Sequence, residues 1–299
     1  MEKIIVTTSG DRLDNYLSNL LEITRSQIKK NIENIKVNDT NVKCGYVLKE
    51  GDTITYKFEE TTTLEKQNIP LDIVYEDDDI IVINKANGMV VHPGAGNKNG
   101  TLVNALLYRQ TALSDINGDV RPGIVHRIDA FTTGLLVVAK NNYAHNILKE
   151  QIQSKTCKRK YYALVWGNIK NDTGTIDAPI GRDPNNRLKM KVTDVNAKEA
   201  VTHFKVLKRY SKATLIEVSL ETGRTHQIRC HMDYIGYPIV NDPVYGKNNV
   251  IDETGQCLHA FELEFIHPKT KQVVCFSAEI PDCFRNIQKM IEDGDLWLY

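Results

Sequence analysis

The amino-acid sequence predicts a mixed α/β (α+β) fold divided between a small N-terminal domain and a large one. Three observations support this prediction. The chain has 299 residues, which exceeds the length of one average domain. From residue 70 onward, strand-like segments alternate with helix-like segments, as in an α/β body. A polar segment without apolar periodicity, residues 59–69, precedes them and has the composition of a linker.

Residues 1–60 carry the signals of two short helices and a hairpin. The first helix is predicted from an apolar stripe at helical spacing, with Asp11 as its N-cap. The second is predicted to begin near Thr24, because the segment TRSQ has the capping-box pattern. The strand-like segments IKVN and DTITYKF follow, with a turn at Asn38-Asp39. We therefore assign residues 1–60 to one small domain.

The large domain, residues 70–299, follows a linker at residues 61–69. Its strand-like segments are LDIVYE, IIVIN, LLVVAK, YYALVWG and ATLIEVSLE, and its helix-like segments are TLVNALLY and NYAHNILKEQIQ. An acidic run at residues 77–79 separates the first two strand-like segments. This position favours a hairpin turn over a metal site.

The composition is that of an ordinary globular protein, 41% apolar and 25% charged. No apolar segment is long enough to cross a bilayer, and the first residues lack the pattern of a secretory signal. We therefore expect a cytoplasmic protein without a membrane partner.

The six cysteines show no C-x-x-C spacing, so we expect neither a zinc site nor a redox pair. Basic and acidic residues balance at 38 each, so any surface for a polyanion must be local.

Three segments combine glycines with polar residues in a way that a simple core does not require. They are NKANGMVVHPGAG at residues 84–96, HRIDAFTTGLLVVAK at residues 126–140 and ETGRTHQIRCH at residues 221–231. Glycines permit tight turns and close backbone approach, and the polar side chains supply charge and hydrogen-bond donors. These segments are the candidate functional regions.

The same segments resemble the motifs of pseudouridine synthases of the RluA/RluD type. HRIDAFTTGLLVVAK resembles their H-R-L-D-x-x-T-S/T-G-L-L-V-V-A-K signature, and ETGRTHQIRCH with YPIVNDPVYG is similar to their T-G-R-T-H-Q-I-R-x-H and G-D-x-x-Y-G motifs. NKANGMVVHPG is similar to N-K-P-x-G-x-x-V-H-P-G, and KYYALVWG to K-x-Y-x-A-x-V-x-G. The N-terminal module resembles an S4 RNA-binding domain. The resemblance covers nearly the whole chain.

The resemblance implies a mixed, largely antiparallel sheet with a central cleft, and an enzyme that isomerises uridines in RNA without a cofactor. Asp129 matches the catalytic aspartate. Arg229 matches the cation that pairs with the aspartate, and Tyr162 is assigned to the aromatic residue that packs on the flipped base. Ile228 matches an apolar wall beside the base. Arg127 matches the arginine that takes the place of the extruded nucleotide.

Further binding residues are assigned from the same motifs and from basic clusters. His126, Arg224 and Lys160 are candidates for binding the substrate. In the S4-like module, a basic surface is expected to bind RNA through Arg25, Lys29, Lys30 and Lys36. Subfamily resemblance implies large-subunit ribosomal RNA or a pre-ribosomal particle as the partner, with transfer RNA as the nearest alternative. We expect a monomer.

The chemistry of the reaction agrees with these residue types. Breaking a glycosidic bond builds positive charge on the ribose, which a positioned carboxylate stabilises or traps. One carboxylate is enough for an isomerisation, and a nearby arginine would stabilise its negative charge. A base inside a stack must be flipped out, at a cost of roughly a few kcal/mol. A stacking tyrosine and an inserted arginine offset that cost.

Structural interpretations remain open for several of these residues. An isolated aspartate after a loop is more often a turn residue, and Arg229 could form a structural ion pair. Histidines in such segments typically brace loops, and a basic cluster at residues 155–160 could protect a strand edge. Two other functions also remain: a non-catalytic RNA-binding assembly factor, which the unusual Ala130-Phe131 pair would favour, and a glycoside hydrolase, which would need a second carboxylate. Ala130-Phe131 stands where members of the family usually have Lys-Asp, and Asn241 stands where the motif has glycine. Asn tolerates a left-handed backbone better than most residues, so we expect Asn241 to replace the glycine in such a conformation.

Overall fold

The computed structural model describes residues 2–295 except 22, 24, 59–63, 95, 110, 117–120, 247 and 248, and it leaves the side chains of residues 26, 27 and 30 undescribed. The chain divides into two compact units, residues 1–63 and 64–299. Residues 64–69, which composition assigned to a linker, belong to the second unit. There, the Asn104 side chain donates to the carbonyl of Glu65, and the backbone N–H of Gln67 donates to the carbonyl of Asn104. Within the described residues, no helix has the length and apolarity that a membrane span requires.

The N-terminal unit combines two short helices with an antiparallel sheet. Its elements are β1 (Glu2–Ile5), α1 (Leu13–Leu20), α2 (Arg25–Lys30), a 3-10 turn (Ile32–Asn34), β2 (Ile35–Val37), β3 (Thr40–Asn41) and β4 (Thr53–Tyr56). The strand order is β1-β4-β2-β3. The expected cap of α1 is wrong, because Arg12 rather than Asp11 is the N-cap and no side chain caps the helix. Thr24 lies outside the described residues.

The predicted turn at Asn38-Asp39 joins β2 to β3. Both residues have left-handed backbones, with φ of 50° and 59°, as a two-residue hairpin of the primed type requires. The Asn38 side chain donates to Asp52 at 2.8 Å and accepts the backbone N–H of Thr53 at 2.9 Å. The turn is therefore fastened to the start of β4. One apolar core, which includes Leu13, Leu17, Ile28, Ile35, Leu48 and Ile54, holds the unit together.

The second unit is built on a large mixed sheet. Its elements are β5 (Asp72–Glu76), β6 (Ile80–Lys85), α3 (Leu102–Tyr108), β7 (Thr133–Ala139), α4 (Asn142–Gln153), β8 (Lys158–Trp166), β9 (Thr173–Asp177), β10 (Ile180–Arg182), β11 (Met190–Val192), β12 (Val201–Arg209), β13 (Ala213–Leu220), α5 (Gln227–Tyr234), β14 (Leu258–Ile266), β15 (Val273–Ser277) and α6 (Asp282–Asp293). Across the described residues, the sheet order is β5-β6-β7-β14-β8-β13-β12-β9, with β15 beside β14. The β7–β14 pair is parallel and the other pairs are antiparallel. The predicted fold class is confirmed.

Helices cover both sides of this sheet. On one side, α3 and α5 share a core with Tyr161 and Ala163 of β8. On the other, α4 packs on β7, and α6 packs on Leu164 of β8. Because side chains alternate along a strand, neighbouring residues of β8 face opposite sides. We call the α3/α5 side the cleft side and the α4/α6 side the outer side.

Candidate active site

A cleft of about 420 Å³ lies on the cleft side of the sheet. Its lining comes from the turn before β7 (residues 127–132), from Arg159 and Tyr161 of β8, and from the segment that leads from β13 into α5 (residues 220–229). Two of the three segments singled out in the sequence therefore meet in one place.

Asp129 and Arg229 form an ion pair at the centre of this lining. Nη1 of Arg229 lies 3.0 Å from Oδ2 of Asp129, whose side chain is 17% exposed to the cleft. Arg229 also holds a second carboxylate, Asp242, through Nε at 2.6 Å and Nη2 at 2.8 Å. The Asp242 side chain is fully buried and accepts the backbone N–H groups of Val244 and Tyr245 as well. Asp242 is thus saturated, whereas Asp129 keeps Oδ1 free of hydrogen bonds from the described residues.

Charge and burial fix the protonation of this group. Burial by itself would lower the pKa of Arg229, but the hydrogen bonds to Asp242 and the charges of both carboxylates raise that pKa above its ordinary value. Burial would raise the pKa of Asp242, and the bonded guanidinium lowers it. Arg229 is therefore a permanent cation between two carboxylates. The sequence did not single out Asp242, although it lies in the NDPVYG motif.

The start of α5 positions Arg229. His226, the N-cap residue, has a left-handed backbone with φ of 55°, an unusual conformation for a non-glycine residue that is often found at functional sites. The buried Gln227 side chain donates to the Val201 carbonyl at 3.0 Å and accepts from the backbone of Arg224 at 2.9 Å. These bonds fasten the beginning of α5 to β12. The ring of His226 approaches Asp129 at 4.0 Å, and burial lowers the pKa of this histidine.

Lys85, at the end of β6, braces the turn that carries Asp129. It is almost fully buried, and its ammonium group donates to the carbonyls of Ala86 at 2.8 Å and Ala130 at 2.7 Å. Burial lowers the pKa of Lys85 to about 7, with the Asp129 charge acting in the opposite direction. This lysine lies in the NKANG segment, but the sequence alone indicates no role for it. It lies behind the turn that carries Asp129.

The tyrosine in the cleft is Tyr161, and the assignment of Tyr162 was wrong. Tyr161 lines the cleft. Tyr162 faces the outer side, where its ring stacks on Phe261 with centroids 3.8 Å apart and planes 5° apart. The motif spacing K-x-Y-x-A-x-V-x-G itself selects Tyr161, because Ala163, Val165 and Gly167 follow it at the required intervals. It also places Arg159 at the motif's lysine position.

Two of the predicted substrate-binding residues do not line the cleft. Lys160 faces the outer side with Tyr162 and pairs with Glu262 at 2.9 Å. His126 is buried, and its Nε2 accepts the backbone N–H of Val137 at 3.1 Å. His126 therefore braces β7, which was the structural interpretation of the motif histidines. Arg127, Arg224 and Ile228 do line the cleft, together with Asp129 and Arg229.

Comparison with known proteins assigns the family. Residues 79–234 match the RNA pseudouridylate synthase family model. RNA pseudouridine synthase YlyB of Bacillus subtilis is 48% identical over 291 residues, which cover 94% of this chain and 96% of the relative. The chain belongs to the RNA pseudouridylate synthase family. Ribosomal large subunit pseudouridine synthase D of Nitrosomonas europaea is 43% identical over 288 residues, covering 92% of this chain and 82% of that protein.

A solved structure extends the match to three dimensions. Human RNA pseudouridylate synthase domain containing 1 superposes with a TM-score of 0.59 at 27% identity, covering 76% of this chain and 87% of that chain. This protein is therefore an RNA pseudouridine synthase, an isomerase that acts on RNA. The predicted family and enzyme class are confirmed.

The positions at which this pseudouridine synthase departs from the motif lie together. Asn241, in place of glycine, has φ of 60°, so it supplies the left-handed backbone that was expected of it. Its side chain donates to Asp252 at 2.7 Å and to the Gly255 carbonyl at 2.8 Å. A Cβ on Gly255 would lie 2.4 Å from Phe131, so Phe131 packs directly on this glycine. The loop organised by Asn241 thus supports the unusual Ala130-Phe131 turn.

In the N-terminal unit, the predicted RNA-binding residues are largely at the surface. Arg25, Lys29 and Lys36 are exposed. Arg25 pairs with Asp14 at 3.0 Å, and the hydrogen bond from Arg12, against the effect of burial, lowers the pKa of Asp14 to about 2. The side chain of Lys30 lies outside the described residues.

Proposed function

We propose that this pseudouridine synthase modifies uridines of large-subunit ribosomal RNA, free or in a pre-ribosomal particle, and that Asp129 is its catalytic residue. Relatives named ribosomal large subunit pseudouridine synthase D, from Nitrosomonas europaea and Neisseria meningitidis, are 43% and 45% identical to this chain and support the target. Transfer RNA is the alternative. The observation that carries the catalytic assignment is the unequal bonding of the two carboxylates on Arg229.

Asp129 is the carboxylate with a free oxygen at the cleft. Its Oδ2 is held by Arg229, whereas its Oδ1 accepts no hydrogen bond from the described residues. Arg229 therefore orients the carboxylate, and Oδ1 remains available to a substrate. When the N1–C1′ bond of uridine breaks, positive charge develops on C1′, and Asp129 stabilises or bonds to that centre. The detached uracil turns and rejoins through C5. The isomerisation has no net oxidation or reduction.

The other lining residues suit the remaining steps. The ring of Tyr161 offers a flat surface for the flipped uracil, and burial raises the pKa of its hydroxyl, so it stays protonated at neutral pH. Ile228 supplies an apolar wall, and the exposed Arg127 is placed to occupy the position that the extruded nucleotide leaves. A hydrolase would need an acid as well as a base or nucleophile. Asp129 is the one carboxylate among the described residues of the lining, which favours isomerisation.

The N-terminal unit is proposed to be an S4-like RNA-binding module. Two short helices and a small sheet present the exposed cations Arg25, Lys29 and Lys36. Phosphate contacts of this kind add affinity without reading sequence. They would therefore hold a long ribosomal RNA while the second unit carries out the chemistry.

Asp129→Asn tests the catalytic assignment. The substitution keeps the volume of the side chain and removes its charge and nucleophilic oxygen, so turnover should fall by about 10³-fold or more while RNA binding persists. The assay uses RNA with tritium at uridine C5, because that label is released when C5 becomes bonded to C1′. Asp282→Asn, whose wild-type side chain is 87% exposed, is the matched control and should release tritium normally.

Two results would contradict the proposal. Substantial release by Asp129→Asn would exclude Asp129 as the catalytic residue. The target is tested separately, by mapping pseudouridines in cells that lack this protein. Sites lost from transfer RNA but not from large-subunit ribosomal RNA would favour the alternative substrate.

A further inference from the structure

Arg159, on the cleft side of β8, is a buried cation to which the described residues supply neither an ion-pair nor a hydrogen-bond partner. The residue is 6% exposed, and its Nε is enclosed with no hydrogen-bond partner. In the described part of the chain, no carboxylate lies within ion-pair distance of its guanidinium. The neighbouring cations differ, since Lys155, Lys158 and Lys160 reach glutamates at 2.9, 2.6 and 2.9 Å.

This arrangement is unfavourable for the protein alone. A guanidinium is not deprotonated in proteins. The Nε of Arg159 is shut off from water without a hydrogen-bond acceptor, and burying part of a cation without a compensating partner is unfavourable. The carboxylate of the cleft, Asp129, is already bound to Arg229. The missing partner of Arg159 is therefore expected to be a ligand.

Gly223 keeps room for the guanidinium. A Cβ at this position would lie 2.9 Å from Nη1 of Arg159, so a larger residue would displace the end of this flexible side chain. The φ of Gly223 is outside the left-handed region, so the backbone does not require glycine there. The absence of a side chain at Gly223 therefore leaves space for the guanidinium of Arg159. Both Gly223 and Arg159 line the cleft.

The position along β8 indicates which part of the substrate Arg159 meets. Tyr161 follows by two residues on the same side of the strand, so the guanidinium and the tyrosine ring are neighbours. A base stacked on Tyr161 would present its edge to Arg159. The exposed Arg127 is better placed for the RNA backbone.

We propose that Arg159 is a catalytic residue that donates hydrogen bonds to the uracil while it is detached and negatively charged. This inference rests on the proposed function. The N1–C1′ bond breaks with its electron pair going to N1, and the uracil anion spreads that charge over N1 and the carbonyl oxygens. After rotation, C5 bonds to C1′, the C5 proton leaves to water through a base, and N1 takes up a proton. Because the negative charge exists between these two steps, its stabilisation raises the rate more than the affinity.

Arg159→Gln tests this role, with Lys158→Gln as the matched control on the outer side. Single-turnover tritium release at saturating RNA should fall about 10²–10³-fold in Arg159→Gln, the usual effect of removing one donor to a developing anion. The RNA dissociation constant should stay within about threefold. The thermal midpoint of Arg159→Gln should equal or exceed that of the wild type, because an unpaired buried charge is removed. Lys158→Gln should keep the wild-type rate.

Two outcomes would overturn the proposal. A wild-type rate in Arg159→Gln would show that the guanidinium does not assist the chemistry. Weaker RNA binding with an unchanged saturated rate and a shallower salt dependence would assign Arg159 to a phosphate instead. Each result is read in a background where wild-type protein releases tritium and Asp129→Asn does not, so failure of this inference is distinguishable from failure of the proposed function.

Discussion

The basic side chains on the two sides of β8 differ in whether the protein supplies them with an acidic partner. On the outer side, Lys158 and Lys160 pair with the β14 residues Glu264 and Glu262, which lie opposite them in the sheet. On the cleft side, Arg159 is buried more deeply than either lysine and has no such partner among the described residues. On the outer side, both lysines of β8 are therefore neutralised by glutamates of the protein itself. Under the proposal made above, a ligand supplies the negative charge that Arg159 lacks on the cleft side, which would distinguish this functional surface from the structural outer side.

The largest expected contrast is between the two adjacent tyrosines. Tyr161→Leu removes the ring from the cleft, and because stacking of a base on an aromatic residue is worth about 1–3 kcal/mol, kcat/KM should fall about 10- to 100-fold. Tyr162→Leu removes the partner of Phe261 on the outer side, so kcat/KM should stay within about threefold. Its unfolding free energy should fall by about 1 kcal/mol or more. Tritium release and denaturant unfolding measure the two quantities.

The same pair of variants can break the comparison. If Tyr162→Leu lost as much activity as Tyr161→Leu while remaining folded at the assay temperature, the side of the strand would not determine function. Circular dichroism at that temperature is the necessary control, because the Tyr161 side chain is also buried.

These two tyrosines show which site residues could be assigned from the sequence motifs and which could not. The motif carried enough information to select Tyr161 by spacing, but it was aligned one residue too far along the chain, and in a strand that shift moves the assignment to the opposite side of the sheet. Lys160 was misplaced by the same shift. Asp129, Arg229, Arg127 and Ile228 lie together in the cleft lining, and their motifs could be aligned without a shift because they have fixed positions relative to glycines.

The fold shows a similar division. The apolar strands β6, β7, β8 and β13 and the helices α3 and α4 were predicted, because their apolar residues are continuous or periodic. Helix α5 was missed because its buried residues 227–232 include the polar Gln227, Arg229 and His231, which alternate with apolar residues, so no apolar stripe at helical spacing marks it. The short, partly exposed strands β9 and β11 lack an apolar signal. Hydrogen bonds between distant residues, such as those of Lys85 and Asp242, have no local signature.

A decrease in pH is expected to have an intermediate effect on the free energy of unfolding, through His126. Burial, reinforced by the Arg159 charge, lowers the pKa of His126 to about 3, against an ordinary value of 6.5. Below pH 6.5 the unfolded chain binds a proton that the folded protein does not, so the stability present above pH 6.5 is lost progressively as the pH falls toward 3. The free energy of unfolding should fall by up to about 1.4 kcal/mol per pH unit from this residue. Burial is the main cause of this low pKa, and the charge of Arg159 adds to it.

Denaturant unfolding at pH 4.5 to 6.5 measures this contribution. His126→Gln should show a shallower decline in unfolding free energy than the wild type, whatever its absolute stability, because the slope depends on proton uptake alone. Parallel declines in the two proteins would show that His126 is not held neutral, and would remove this consequence of the unpaired Arg159.

The smallest effect is expected from Lys160→Gln. The hydrogen bond to Glu262 raises the pKa of Lys160, so the lysine stays protonated at neutral pH, but its side chain is 34% exposed and solvent screens much of the attraction between the two side chains. Partly exposed ion pairs contribute about 0–1 kcal/mol, and the unfolding free energy should change by no more than that. Because Lys160 faces away from the cleft, the saturated rate and the RNA dissociation constant should both stay within about twofold of wild type. A tenfold weaker RNA affinity for Lys160→Gln, with the fold intact, would mean that RNA also contacts the outer side of β8. Pairing of a lysine with a glutamate would then no longer distinguish a structural surface from an RNA-binding one.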